Sequence, residues 1–237
     1  MRILAQPEEL PREANGVCLA LGVFDGVHIG HQAVVAGMIA EARASGAVPV
    51  VVTFDRHPNA VVAPHRTPAL IQTLSQRLRA LAALEPAAAW VICFDEAFSR
   101  LTGAEFVQRL VQGFGRIRSV FVGEGFHFGH RRSGHVGLLR EVGAQAGFAV
   151  RALAPVSFEG TAVSSTRIRE AIRAGDLRGA AHLLGRAYRL AGPVIRGISW
   201  GDNGVSRPPT STRMASCCRR PACTSAVPGV ARGIGTA

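Results

Sequence analysis

Hydrophobic positions fall along this chain in two alternating rhythms. Near-continuous apolar runs occupy residues 17–23, 48–54, 89–94, 117–122 and 149–153, each of a length that suits a strand. Between the first two, Val34, Val35, Met38, Ile39 and Ala42 recur at helical spacing, with Glu41 and Arg43 off that face and Gly46 closing the segment. Thr73 with Gln76 and Thr102 with Glu105 fit capping boxes. The first predicts a helix through Leu84, the second a helix carrying Phe106, Val107 and Leu110. Another helix is expected near residues 135–146. The Ser164, Ser165, Thr166 cluster predicts an N-cap for a helix over 167–174, and Asp176 caps a last one ending at Leu184. Residues 55–68, rich in Pro, His and Arg, and residues 123–134, rich in Gly, are expected to be loops. Pro49 predicts an irregular start to its strand.

Strand and helix alternate, and the strands are apolar on both sides. That pattern predicts a parallel sheet covered on both faces, a doubly wound α/β domain. Ligands of such sheets bind beyond the carboxyl ends of the strands. From Ile198 onward the pattern stops: Ser, Thr, Pro and Arg dominate, and nothing there would bury a core.

Composition narrows the chemistry. The chain has 237 residues, and its 27 basic residues are all Arg. Without lysine there is no Walker A lysine, no Schiff base and no lysine-activated serine. Any phosphate site must use Arg, His, hydroxyls, backbone N–H groups or metal. The net charge of +11 comes from scattered Arg, and only 6% of residues are aromatic, so nucleic-acid binding is not expected. No apolar run approaches the ~18 residues of a membrane helix. The first ten residues lack the apolar core of a secretory signal, and a cytoplasmic setting is expected. Cys18 and Cys93, in apolar runs, read as buried thiols.

The candidate chemistry gathers after the first strand, in LGVFDGVHIGHQ over residues 21–32. His28 and His31, three apart at the opening of a helix, face the same way. A helix N-terminus offers N–H groups and positive potential, and Gly26 and Gly30 allow close approach to the backbone. This reads as a polyphosphate cradle; two incidental surface histidines or a partial metal site are the alternatives.

The G-x-F-D-G-V-H-x-G-H pattern resembles the H-x-G-H nucleotidyltransferases. Within them the chain is similar to bacterial bifunctional riboflavin kinase/FAD synthetases, in their adenylyltransferase module. TFDRHP at 53–58 resembles T-F-D-P-H-P, VGEGFHFGHRRSG at 122–134 resembles V-G-x-D/N-F-x-F-G-x-x-x-x-G, and VSSTRIREAIRAGD at 163–176 resembles S-S-T-x-I-R-x-x-x-x-x-G-D. The resemblance implies that FMN and ATP give FAD and pyrophosphate with Mg²⁺, whose ligands it leaves unidentified. It implies His28, His31 and Arg169 as catalytic. On ATP it implies Gly22, Phe24, Asp25, Gly26, His28, His31, Ser165, Thr166, Arg167 and Arg169. On the flavin it implies Phe54, Asp55, His57, Pro58, Phe126 and Phe128; core packing is the alternative for the three Phe. Another H-x-G-H transferase, or a flavin- or nucleotide-binding protein without turnover, are the competing readings. Oligomeric state is left open.

Two positions depart from the pattern. Arg56 stands where the family has Pro, and Gly125 stands where an Asn or Asp would reach the nucleotide. The expected domains are the adenylyltransferase over 1–185, a linker and first kinase strand over 186–197, and an aberrant, disordered tail over 198–237. The family continues with G-R-x-x-G-F-P-T-A-N and later G-V-Y, whereas this chain reads SWGDNGVSRPPTS. Synonymous codons for 199–211, regrouped from each third base, permit M-G-R-Q-R-G-F-P-T-A-N-I, and those for 221–224 permit G-V-Y. A shifted reading frame that removes the kinase is therefore expected. Three superficial motifs are set aside. GISWG at 197–201 precedes no helix, His127, His130 and His135 lack a completing ligand, and the glycines at 123, 125 and 129 miss the dinucleotide spacing.

Overall fold

The computed structural model describes residues 1–11 and 15–191. Six strands form one parallel sheet: β1 (Arg2–Leu4), β2 (Val17–Leu21), β3 (Val48–Phe54), β4 (Ala88–Ile92), β5 (Ile117–Gly123) and, after two short strands, β8 (Ala149–Leu153). Their order across the sheet is β1-β4-β3-β2-β5-β8. The short strands β6 (His127–Phe128) and β7 (Gly134–His135) pair antiparallel, as do β9 (Ser157–Phe158) and β10 (Thr161–Ala162). The helices are α1 (Ile29–Ser45), α2 (Asn59–Val62), α3 (Leu74–Ala82), α4 (Glu96–Ser99), α5 (Gly103–Phe114), α6 (Val136–Ala146), α7 (Ser165–Arg173) and α8 (Leu177–Leu184).

The period-2 geometry of a strand divides the apolar runs between two cores. On β2, Val17, Leu19 and Leu21 face α5 and α6, packing with Phe106, Val107, Leu110 and Leu139. Cys18 and Ala20 face α1 and α3, packing with Val34, Val35, Met38 and Leu81. This two-sided burial is why the strands read as continuous apolar runs rather than alternating ones. A third, smaller cluster joins Ile71, Val163, Ile168, Leu183 and Leu184, and packs Ile29 at the start of α1 against α7 and α8. These residues fall within one compact unit, Met1–Gly192.

Both capping boxes form, with Thr73 and Thr102 each accepting from the backbone N–H three residues on. Gly46 ends α1 in the left-handed conformation, at φ +64°. Pro49 does not distort β3, which pairs in register with β2 from Val48. Its carbonyl accepts from Ala87 N–H at 3.0 Å, so its missing N–H faces the same side, just short of where β4 begins.

Four expectations need correction. Residues 123–134 are not a plain loop: β6 folds back on β7, with a 3₁₀ turn at His130–Arg132 between them. Residues 55–68 contain α2 and a second 3₁₀ turn, Pro64–Arg66. Cys93 is exposed, because β4 ends at Ile92; Cys18 is buried. The edge strand β1 and the β9–β10 hairpin have no counterpart in the apolar pattern, being too short to set a period. Residues 192–197 of the expected linker and the tail from 198 lie outside the described residues.

Candidate active site

The chain winds outward from β2 in both directions, to β3 and β4 on one side and to β5 and β8 on the other. The loops leaving β2 and β5 therefore diverge at the carboxyl edge. That topological switch point opens a crevice. A cavity of about 760 Å³ lies there, lined by Gly22, Phe24, His28, Gly30, His31, Ser164 and Ser165 at one part and by a ring of phenylalanines at another. Its volume is in the range of small-ligand sites.

His28 is the N-cap of α1, one position before the first turn that the spacing suggested. Its Nδ1 accepts the His31 N–H at 3.3 Å. An accepting Nδ1 places the single proton of the neutral ring on Nε2. The two rings stack, with centroids 3.6 Å apart and planes at 19°. Phe24 meets His31 edge-on at 5.2 Å. Burial, and then the charge of Arg186, lower His28 to a pKa of about 4. Burial, then His28 and then Arg77, push His31 well below the usual imidazole range. Both rings are thus neutral hydrogen-bonding groups at neutral pH. The buried His31 Nδ1 has no partner among the described residues.

The loop before α1 is strained. Phe24 (φ +53°) and Val27 (φ +41°) are left-handed, as is Gly26 (φ +87°). Only Gly takes that conformation readily, and a β-branched residue there is an outlier. Phe24 and Val27 are both buried.

Several residues expected on ATP stand behind the cavity instead of lining it. The Asp25 carboxylate accepts from the Ile71 N–H with both oxygens, at 3.1 Å each, and from the Gln72 N–H at 3.2 Å. It also pairs with Arg169 Nη2 at 2.7 Å, with side-chain exposures of 2% and 11%. Arg169 Nε donates to the Ala69 carbonyl at 2.7 Å. Arg169 is therefore the buried partner of Asp25 and is not among the residues lining the cavity. Ser165 Oγ donates to the Asp25 carbonyl at 2.9 Å, tying the start of α7 to the cradle loop. Arg167 donates to the Phe158 and Thr161 carbonyls of the β9–β10 hairpin. Thr166 is exposed, and Gly26 offers its carbonyl to Arg186; neither lines the cavity.

Of the expected flavin residues, Phe54, His57, Pro58, Phe126 and Phe128 line the cavity. Phe54 and Phe128 are each only 8% exposed and belong to the main core, so little of either ring reaches the cavity. Phe126 is half-buried and stacks on Phe128 at 5.4 Å. Asp55 does not line the cavity: it accepts the Phe94 N–H at 2.9 Å and pairs with Arg56 at 2.7 Å, joining the ends of β3 and β4. His57 Nδ1 accepts the Asn59 N–H, and burial followed by Arg169 lowers its pKa. A Cβ built on Gly125 meets nothing within 4 Å, so a longer side chain would fit.

Two arginines emerge that the patterns did not single out. Arg77, on the buried face of α3, donates to the Val23 carbonyl at 3.1 Å and to the Phe54 carbonyl. It thereby joins the ends of β2 and β3 beneath the cavity. Its helical phase, four residues before the buried Leu81, was the available signal. Arg186 donates to carbonyls of the cradle loop from beyond α8. Its sequence neighbours carried no comparable signal. Among the described residues no group of three His, Cys, Asp or Glu is placed to hold a metal, and the carboxylate lining the cavity is Glu124.

A doubly wound sheet with a strained loop and a histidine pair at its switch point defines an α/β domain whose ligand crevice lies at the carboxyl edge of the sheet. The FAD synthetase family model matches residues 10–167, and the chain belongs to the FAD synthetase family. It is 37% identical over 200 residues to a bifunctional riboflavin kinase/FMN adenylyltransferase of Pseudomonas fluorescens, covering 83% of this chain and 63% of the relative. The protein of the same name from Escherichia coli K12 is 33% identical over 195 residues, 81% of this chain and 61% of the relative. The chain thus spans somewhat under two thirds of these relatives. A crystal structure titled macrolide-efflux protein, from Streptococcus pneumoniae, shares the fold with a TM-score of 0.67 at 25% identity, over 78% of this chain and 60% of that one. No helix among the described residues is long and apolar enough to cross a membrane.

Proposed function

We propose that this chain transfers the adenylyl group of ATP to FMN, making FAD and pyrophosphate. The observation that carries the reading is one cavity joining a neutral histidine pair to an aromatic wall. An FMN phosphate oxygen forms the new bond to the α-phosphorus of ATP, and the bond to the β-phosphate bridge breaks, releasing pyrophosphate. The FMN phosphate is already an anion, so no general base is needed. Catalysis is positioning and charge stabilisation. His28, through its Nε2 proton, and His31 donate to the phosphates. The Gly22 and Phe24 segment and Ser165 border the nucleotide. Asp25, Gly26, Thr166, Arg167 and Arg169 act from behind, with Arg169 holding the loop through Asp25. Phe126, with the exposed parts of Phe54 and Phe128, flanks the isoalloxazine, and His57 and Pro58 close its rim.

Magnesium fits this donor set as a cation that arrives on the ATP phosphates, with Glu124 as the available carboxylate. Bound there, it supplies charge neutralisation. Partners are the small molecules ATP and FMN rather than nucleic acid, and the setting is cytoplasmic, where both occur. Purified protein given ATP, Mg²⁺ and either FMN or riboflavin tests this. FAD from FMN supports the reading. Flavin binding without FAD supports a binding protein, and neither binding nor product points to another H-x-G-H transferase. FMN formed from riboflavin would overturn the loss of the kinase.

A further inference from the structure

Arg186 sits one residue past Gly185, the left-handed C-cap of α8. Its side chain reaches across 160 positions of sequence to the cradle loop. Nη1 donates to the Val27 carbonyl at 2.8 Å and to the Leu184 carbonyl at 3.0 Å, and Nη2 donates to the Gly26 carbonyl. Gln32, on the first turn of α1, makes the matching bridge: its Nε2 donates to the same Val27 and Leu184 carbonyls, both at 2.8 Å. Two side chains thus converge on two shared carbonyls, one in the cradle loop and one at the end of α8. Ile29, Leu183, Leu184 and Tyr188 pack around this junction.

The carbonyls held are those of the two left-handed residues immediately before His28. A strained segment keeps its conformation only where its surroundings over-determine it. The backbone alone supplies one restraint inside this turn, the Val27 N–H donating to the Phe24 carbonyl at 3.0 Å. Arg186 and Gln32 add three hydrogen bonds to the Gly26 and Val27 carbonyls, two of them charge-assisted. A planar guanidinium is suited to this because its fork fixes two adjacent carbonyls at once.

We propose that Arg186, together with Gln32, is a positioning residue that sets the histidine pair of the phosphate cradle from the far end of the domain. The functional part of this inference rests on the adenylyl-transfer reading. It assigns to the catalytic domain a residue that the sequence pattern placed in the linker.

The test uses the full chain with R186M, R186K and Q32L. Hydrogen–deuterium exchange over residues 22–32 should rise in R186M while exchange over 117–123 stays unchanged. Titration with ATP and Mg²⁺, without flavin, should show about tenfold weaker binding in R186M, the order expected of lost charge-assisted hydrogen bonds. The turnover number should fall with it. R186K, which keeps the charge without the fork, should restore part of the affinity. Q32L should move both readouts the same way by less, and it carries the test if R186M does not fold. Unchanged exchange and affinity in R186M, or exchange that rises uniformly across the sheet, would overturn the proposal. R186K no better than R186M would overturn the role of the fork. If the unaltered chain makes no FAD from FMN, the adenylyl-transfer reading fails, while the exchange data still decide whether Arg186 holds the loop.

Discussion

The Asp25–Arg169 pair ties the cradle loop to α7, and removing either partner should be costly in a way the structure specifies. Asp25 accepts from two backbone N–H groups and one guanidinium while 2% exposed. In D25N the single amide oxygen can serve either Ile71 and Gln72 or Arg169, and its NH₂ then faces a donor. Breaking a buried pair from one side costs ~3–5 kcal/mol. Arg169 keeps 11% exposure and a bond to the Ala69 carbonyl, which places D25N near the lower end, about 3 kcal/mol. R169M leaves Asp25 its backbone donors and should cost about 2 kcal/mol. Because both singles break the same interaction, the double variant should fall short of their sum by at least ~1.5 kcal/mol. Urea unfolding of the four proteins at pH 7 measures this. Singles costing under ~0.5 kcal/mol, or a cycle additive to within ~0.5 kcal/mol, would refute the clasp.

Other consequences are as direct. G125N should raise kcat/KM for FAD formation roughly 5- to 100-fold, since the position is open and one nucleotide hydrogen bond is regained; an unchanged value would remove Gly125 from the explanation. His28 is neutral when folded down to about pH 4, whereas the unfolded chain protonates it near 6.5, so its contribution to stability is complete above that pH and declines as the pH drops toward 4. Between pH 7 and pH 5 the loss is about 2 kcal/mol from this residue, and a urea midpoint that depends on pH equally in H28Q would count against it. G26A places a side chain at φ +87° against Ile71, so it should lower stability by roughly 1–2 kcal/mol and weaken ATP binding, both read in one thermal-shift titration. Sequencing the gene tests the tail: the regrouped codons of 199–211 and 221–224 should spell the G-F-P-T-A-N and G-V-Y motifs.

What the chain declares locally, it declares well. Capping boxes at Thr73 and Thr102 involve residues three apart, and Gly46 closes α1 through its own backbone, so neighbours in sequence suffice to place these ends. Apolar-rich runs of five or more residues mark five of the six strands of the main sheet because burial on both faces leaves few polar positions in the central ones, Thr53 and Ser119 among them. The three residues of β1 and the two of each hairpin strand are too few for any such signal.

The cradle divides along the same line. Its position after β2 and its two histidines are legible because strand, glycines and helix start are contiguous. Which polar residues face the cavity and which hold it from behind is not. Asp25 and Arg169 lie 144 positions apart, and Arg186 and Gly26 lie 160 apart. Only the strand order, which brings α7 and α8 over the loop leaving β2, decides that Arg169 pairs with Asp25 and that Arg186 grips the turn before His28. Local sequence sets where the chain turns; long-range packing sets what each side chain meets there, because a buried carboxylate or carbonyl takes whichever donor the fold brings within reach.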